Sequence, residues 1–171
     1  AAAISVLVKV LEDTSQEPMV RHEAAEALGA IGSTEALNIL EKYKNDPVIE
    51  VAETCELALE RIKWLNSPES KEKLSENPYK SVDPAPPAKC QNIPELKGVL
   101  LDDNASLFER YRAMFALRNL RCREAVEALG AGLKCGSALF RHEVAFVLGQ
   151  MQEESSVPFL RESLEDCAEN E

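Results

Sequence analysis

Along residues 18–31, apolar side chains fall at Val20, Ala24, Ala27, Leu28 and Ile31, with polar or charged residues filling most of the gaps. Spacing of i, i+4, i+7, i+8 lays such residues along one stripe of a helix. Pro18 suits the first turn, where its missing N–H is no loss, and Gly32 suits a left-handed cap at the end. Ser33 then stands as the cap of a second helix carrying Ala36, Leu37, Ile39 and Leu40. Asn45-Asp46-Pro47 breaks the chain before a longer helix that reaches about Leu65, and two similar helix pairs are expected near 107–133 and 138–166. Residues 1–11 read as the second helix of another such pair. No stretch alternates with the two-residue period of a strand. The expected fold class is all-α.

The pattern repeats. "EPMVRHEAAEAL" from Glu17 aligns with "DPVIEVAETCEL" from Asp46, "SLFERYRAMFAL" from Ser106 and "ALFRHEVAFVL" from Ala138. Pro18 and Pro47 stand 29 residues apart, and the segments ending at Leu117 and Leu148 stand 31 apart. A period near 30 with two helices per unit indicates HEAT-like helical hairpins stacked as an α-solenoid. Between the arrays, "NSPESKEKLSENPYKSVDPAPPAKCQNIPE" holds six of the nine prolines and almost no periodic apolar face. Proline removes backbone donors and disfavours helix in the residue before it, so an irregular connector is expected. The predicted organisation is a repeat half over 1–65, a Pro-rich linker over 66–92 and a second repeat half over 93–171.

Charge narrows the function. Thirty acidic against nineteen basic side chains give a formal charge of −11, which argues against general affinity for nucleic acid. No apolar run approaches the ~18 residues of a membrane span. The five cysteines (Cys55, Cys90, Cys122, Cys135 and Cys167) are widely spaced and form no C-x-x-C pair, so a reduced intracellular setting is expected and zinc is not suggested.

The chain has two histidines, and both fall in the same frame of the repeat, each inside Arg-His-Glu: His22 with Glu23, and His142 with Glu143. The other copies carry Val51-Ala52 and Tyr111-Arg112 there, so packing does not require the dipeptide. A lone His-Glu step on a helix is usually a solvated pair. Adjacent helical residues point roughly 100° apart, so the two side chains of one step suit neighbouring ions, or one ion and a bound substrate. Imidazole with carboxylate suits iron, manganese or zinc. His22 and His142 lie 120 residues apart, close to four periods, and two halves facing each other would bring their helices together. Arg21, Arg110 and Arg141 also share one frame, where ion pairing within the array is the expected role. Tyr111 is expected either to pack or to line a site, and Met19, Met114 and Met151 to pack in the core. The acidic helix "EVAETCELALERI" reads as a solvated face. The repeats alone equally describe a non-enzymatic adaptor that binds a protein on its surface.

"QEPMVRHEAAEALGAIG", "DPVIEVAETCELA", "YKSVDPAPPA", "LFERYRAMFALRN" and "CGSALFRHEVAFVLGQMQ" together resemble the HEAT-repeat diiron deoxyhypusine hydroxylases. The resemblance implies an iron-dependent, cytoplasmic protein hydroxylase with two iron ions and O2 as co-substrate. Its implied substrate is a deoxyhypusine-containing translation initiation factor, with no direct nucleic acid and no membrane as partner. The family carries four His-Glu motifs, two in each half. On that mapping His22, Glu23 and His142 resemble iron ligands, and Glu143 resembles a carboxylate that engages the cationic substrate amine. One period before His22 and one period after His142 both fall outside residues 1–171. The chain is therefore expected to be the central portion of such an enzyme, with at most four of its metal-site side chains and little activity alone.

Overall fold

The computed structural model describes residues 2–169, and among them every regular element is helical. The α-helices are α1 (Ala2–Glu12), α2 (Pro18–Ile31), α3 (Leu37–Tyr43), α4 (Ile49–Leu65), α5 (Ile93–Leu101), α6 (Leu107–Leu120), α7 (Arg123–Gly132), α8 (Ala138–Met151) and α9 (Val157–Glu165). Short 3-10 turns precede α3 and α9 and follow α4. The chain folds as two compact units: 2–73 with 82–85, and 74–81 with 86–169.

Local chemistry sets the helix ends. Pro18 opens α2, and Gly32 closes it at φ 73° while its N–H bonds back to the Leu28 carbonyl. The Ser106 hydroxyl accepts from Glu109 N to start α6, and the Ser137 hydroxyl accepts from Phe140 N to start α8. Helix α5 begins inside the stretch quoted above as the connector. Asn92 caps it by accepting from Glu95 N, and Pro94 occupies its first turn. Those are helix-start signals that the surrounding prolines obscured.

In the first unit α2 packs between α1 and α4, and α3 packs on α4. Leu11, Leu28, Leu40, Val51, Cys55 and Ile62 are fully buried there. Burying one such leucine contributes roughly 1.5–3 kcal/mol. In the second unit α6 packs on α5, α7 and α8 around Leu100, Met114, Phe115, Leu129 and Phe140.

The buried stripe of α2 differs from the apolar one. Arg21, Ala24, Ala25, Leu28 and Gly29 face inward at i, i+3, i+4, i+7, i+8, whereas Met19, Val20 and Ile31 are exposed. An arginine begins the inward face because each nitrogen of its head has a partner, so a reading built on apolar residues alone is rotated by one position. Met114 and Met151 are buried; the expectation that Met19 packs is corrected.

Between Leu65 and Ile93 the backbone is irregular apart from the turn over Pro68–Lys71. Side chains hold it down. In the second unit Asn119 Nδ2 donates to Ser75 Oγ at 3.1 Å, and the buried Arg118 guanidinium lies over the rings of Tyr79 and Phe115. In the first unit Arg61 Nε donates to the Asp83 carbonyl at 3.0 Å.

Candidate functional site

Helices α2 and α4 build the surroundings of His22. The two helices approach closely at Gly29, where an added Cβ would stand 2.8 Å from the Ala58 Cβ. Arg61, one turn further along α4, donates through Nη1 to the Gly29 carbonyl at 2.7 Å. This close approach brings Thr54 of α4 to the imidazole, with His22 Nδ1 2.6 Å from Thr54 Oγ1. Thr54 Oγ1 also donates to the Glu50 carbonyl at 2.7 Å. Both side chains are buried, His22 at 6% and Thr54 at 4% exposure.

Carboxylates flank the ring. Glu23, the next residue, is exposed, and Glu26 is half-buried with Oε2 3.7 Å from His22 Nε2. Burial raises the Glu26 pKa, and the negative charge of Glu23 raises it further. Glu26 was not singled out in the sequence, although it stands four residues after His22, the spacing that puts two helical side chains on one face. Thr54 was missed because it does not titrate and belongs to the following repeat.

Arginines anchor the same frame. Arg21 Nε donates to the Leu11 carbonyl at the end of α1, at 2.9 Å, and its other nitrogens bind Asp46 at 2.5 and 3.3 Å. Burial pushes the Asp46 carboxyl up, but the Arg21 guanidinium and the Val48 N–H outweigh it and hold it below its ordinary value. Arg110 Nε makes the equivalent bond to the Leu100 carbonyl at 3.0 Å, and its Nη1 lies 3.3 Å from Asp103. Arg141 Nε donates to Glu169 Oε2 at 2.8 Å. All three arginines are thus ion-paired within the array.

In the second unit, His142 lies exposed on α8 and Glu143 is half-buried beside it. Tyr111, in the matching frame of α6, is 1% exposed and packs its ring against Phe115 and Phe140. Among the described residues no three His, Cys, Asp or Glu side chains converge as a metal-binding group. The donor types still fit iron: imidazole nitrogen with carboxylate oxygen is the mixture that carboxylate-rich iron sites use. One unit by itself offers one imidazole and its neighbouring carboxylates, which is part of a ligand set.

Family models agree with the helical hairpins. The model described as HEAT repeats matches residues 1–60, and the model described as PBS lyase HEAT-like repeat matches 109–135 and 140–166. The class is therefore a HEAT-repeat α-solenoid. The deoxyhypusine hydroxylase of Drosophila melanogaster is 62% identical over 172 residues, covering 100% of this chain and 56% of that protein. Those of Danio rerio and Homo sapiens are 60% and 59% identical, each over 99% of this chain and 56% of the relative. The solved structure of human deoxyhypusine hydroxylase in complex with glycerol superposes with a TM-score of 0.91 at 59% identity, covering 99% of this chain and 58% of that one. This chain is similar to the deoxyhypusine hydroxylases over its whole length, and it spans about 56% of the length of these curated relatives.

Proposed function

We propose that the chain is the portion of a deoxyhypusine hydroxylase that carries two of its His-Glu motifs. The reaction is hydroxylation of a deoxyhypusine side chain on a translation initiation factor, with iron and O2. The observation that carries this reading is an overall identity of 59–62% in matches that cover 99–100% of the chain and so span both units. His22, Glu23 and His142 are the proposed iron ligands. Bound iron would supply the activation of dioxygen.

The chain's own residues have distinct tasks in this reading. His22 offers an imidazole nitrogen from a buried position on α2. Glu143, half-buried on α8, holds the substrate's ammonium group by a charge-assisted hydrogen bond. The formal charge of −11 favours approach of a cationic protein substrate. A cytoplasmic setting is part of the same proposal.

The test is an anaerobic ferrous titration of the chain, with His22→Ala as control. Tightly bound iron that disappears in His22→Ala supports the reading. Should the chain take up no iron, and should a longer form with the flanking repeats of its relatives also take up none, a protein-binding adaptor replaces it.

A further inference from the structure

We infer that Thr54 is a positioning residue: it fixes His22 in the Nδ1–H tautomer, which makes Nε2 the atom available to a metal. The inference deepens the iron-ligand reading of His22 and rests on it. A hydroxyl has one proton. The Glu50 carbonyl, 2.7 Å away, can only accept, so the Thr54 proton is committed to that bond. The contact of 2.6 Å between Thr54 Oγ1 and His22 Nδ1 then requires the imidazole to be the donor. With Nδ1 protonated in the neutral ring, the lone pair lies on Nε2.

The geometry is rigid enough to hold that state. Both side chains are buried, so water does not exchange for either partner. Threonine's branched side chain is stiff about χ1, and its bond to the carbonyl four residues back locks the hydroxyl on one side. The contact depends on the close approach of α2 and α4 at Gly29 and Ala58. A hydrogen bond on the nitrogen away from the metal is the usual way proteins orient a ligating histidine. Valine has the same shape as threonine and can neither accept from Nδ1 nor donate to Glu50. Serine can do both.

The chain's two histidines make this directly measurable, with exposed His142 as an internal reference. Ring 15N spectra of the metal-free chain, taken where imidazole is neutral, should show His22 as the Nδ1–H tautomer. Thr54→Val should move the proton to Nε2, Thr54→Ser should restore it, and the His142 signals should stay unchanged throughout. Ferrous affinity of Thr54→Val should fall on the order of 10–100-fold, with Thr54→Ser near wild type. Wild-type His22 carrying its proton on Nε2, or a Thr54→Val spectrum or affinity equal to wild type, would overturn the inference. If Thr54→Val does not fold, the wild-type spectrum and Thr54→Ser still decide the tautomer. A wild-type chain with the Nδ1–H tautomer and no ferrous binding, alone or with its flanking repeats, counts against the iron reading and leaves the tautomer standing.

Discussion

The tripeptide Arg-His-Glu stands at residues 21–23 and again at 141–143, at the same point of the repeat, and the two copies have different surroundings. His22 is buried beneath α4 and bonded to Thr54, whereas His142 is exposed on α8. Arg21 and Asp46 form a pair with side chains 4% and 3% exposed, whereas Arg141 and Glu169 are 22% and 24% exposed. Tyr111, also in this frame, is covered by Phe140 of α8 as His22 is covered by Thr54 of α4. For His22 and Tyr111 that cover comes from the first helix of the following repeat, and the described residues include no such helix after α8. The tripeptide supplies the chemistry of its side chains, and for His22 the neighbouring repeat supplies the cover and the hydrogen-bond partner.

Matched substitutions sharpen that contrast. The largest expected effect is Asp46→Ala, which strands the Arg21 guanidinium and should cost about 3–5 kcal/mol in a denaturant melt. Asp103→Ala removes the Arg110 partner, whose side chain is 80% exposed, and should cost no more than ~1 kcal/mol. Equal losses would break the comparison.

Glycine gives the next pair. Gly29→Ala forces a methyl against Ala58 and should cost about 1–3 kcal/mol. Gly149 occupies the same frame of α8 with nothing within 4 Å of an added Cβ, so Gly149→Ala should gain up to about 1 kcal/mol from helix propensity.

Acid should act through Asp46. Its folded pKa lies below the ordinary 3.8, so its stabilisation is whole above that value and is lost as pH falls through the lowered one. Wild type should therefore lose stability below about pH 4 more steeply than Asp46→Asn.

The smallest effect concerns thiols. Burial pushes the Cys55 thiol up to about 12, whereas Cys167 is exposed. Alkylation near pH 8 should label Cys167 rapidly and Cys55 only under denaturant, as a peptide map would show.

Much of the architecture was readable before any coordinates, because prolines, glycines and capping serines punctuate helices whose apolar spacing recurs. Pro18 and Gly32 bound α2 as their positions predict, and Ser33 caps the turn that leads into α3. Helix α5 was hidden because Pro94 continues the proline run of the preceding segment. The inward face of α2 was misplaced because Arg21 begins it, and hydrophobicity does not reveal an arginine whose hydrogen bonds are all made inside. For the site, the sequence displays the donor types of His22 and Glu23 and their place in the repeat. The depth of His22 was not, since Thr54 lies 32 residues away and becomes relevant only after α2 and α4 pack.

The arginine bonds to the preceding helix ends bear on how the molecule breathes. Arg21 holds the Leu11 carbonyl and Arg110 holds the Leu100 carbonyl, each reaching back ten residues to the helix of the preceding repeat. When α2 melts, the last turn of α1 loses its cap and frays with it, and the same coupling joins α6 to α5. Amide protons on both helices of such a pair should exchange with solvent at a common rate. The smallest piece that opens is then a helix pair spanning two repeats rather than a single helix.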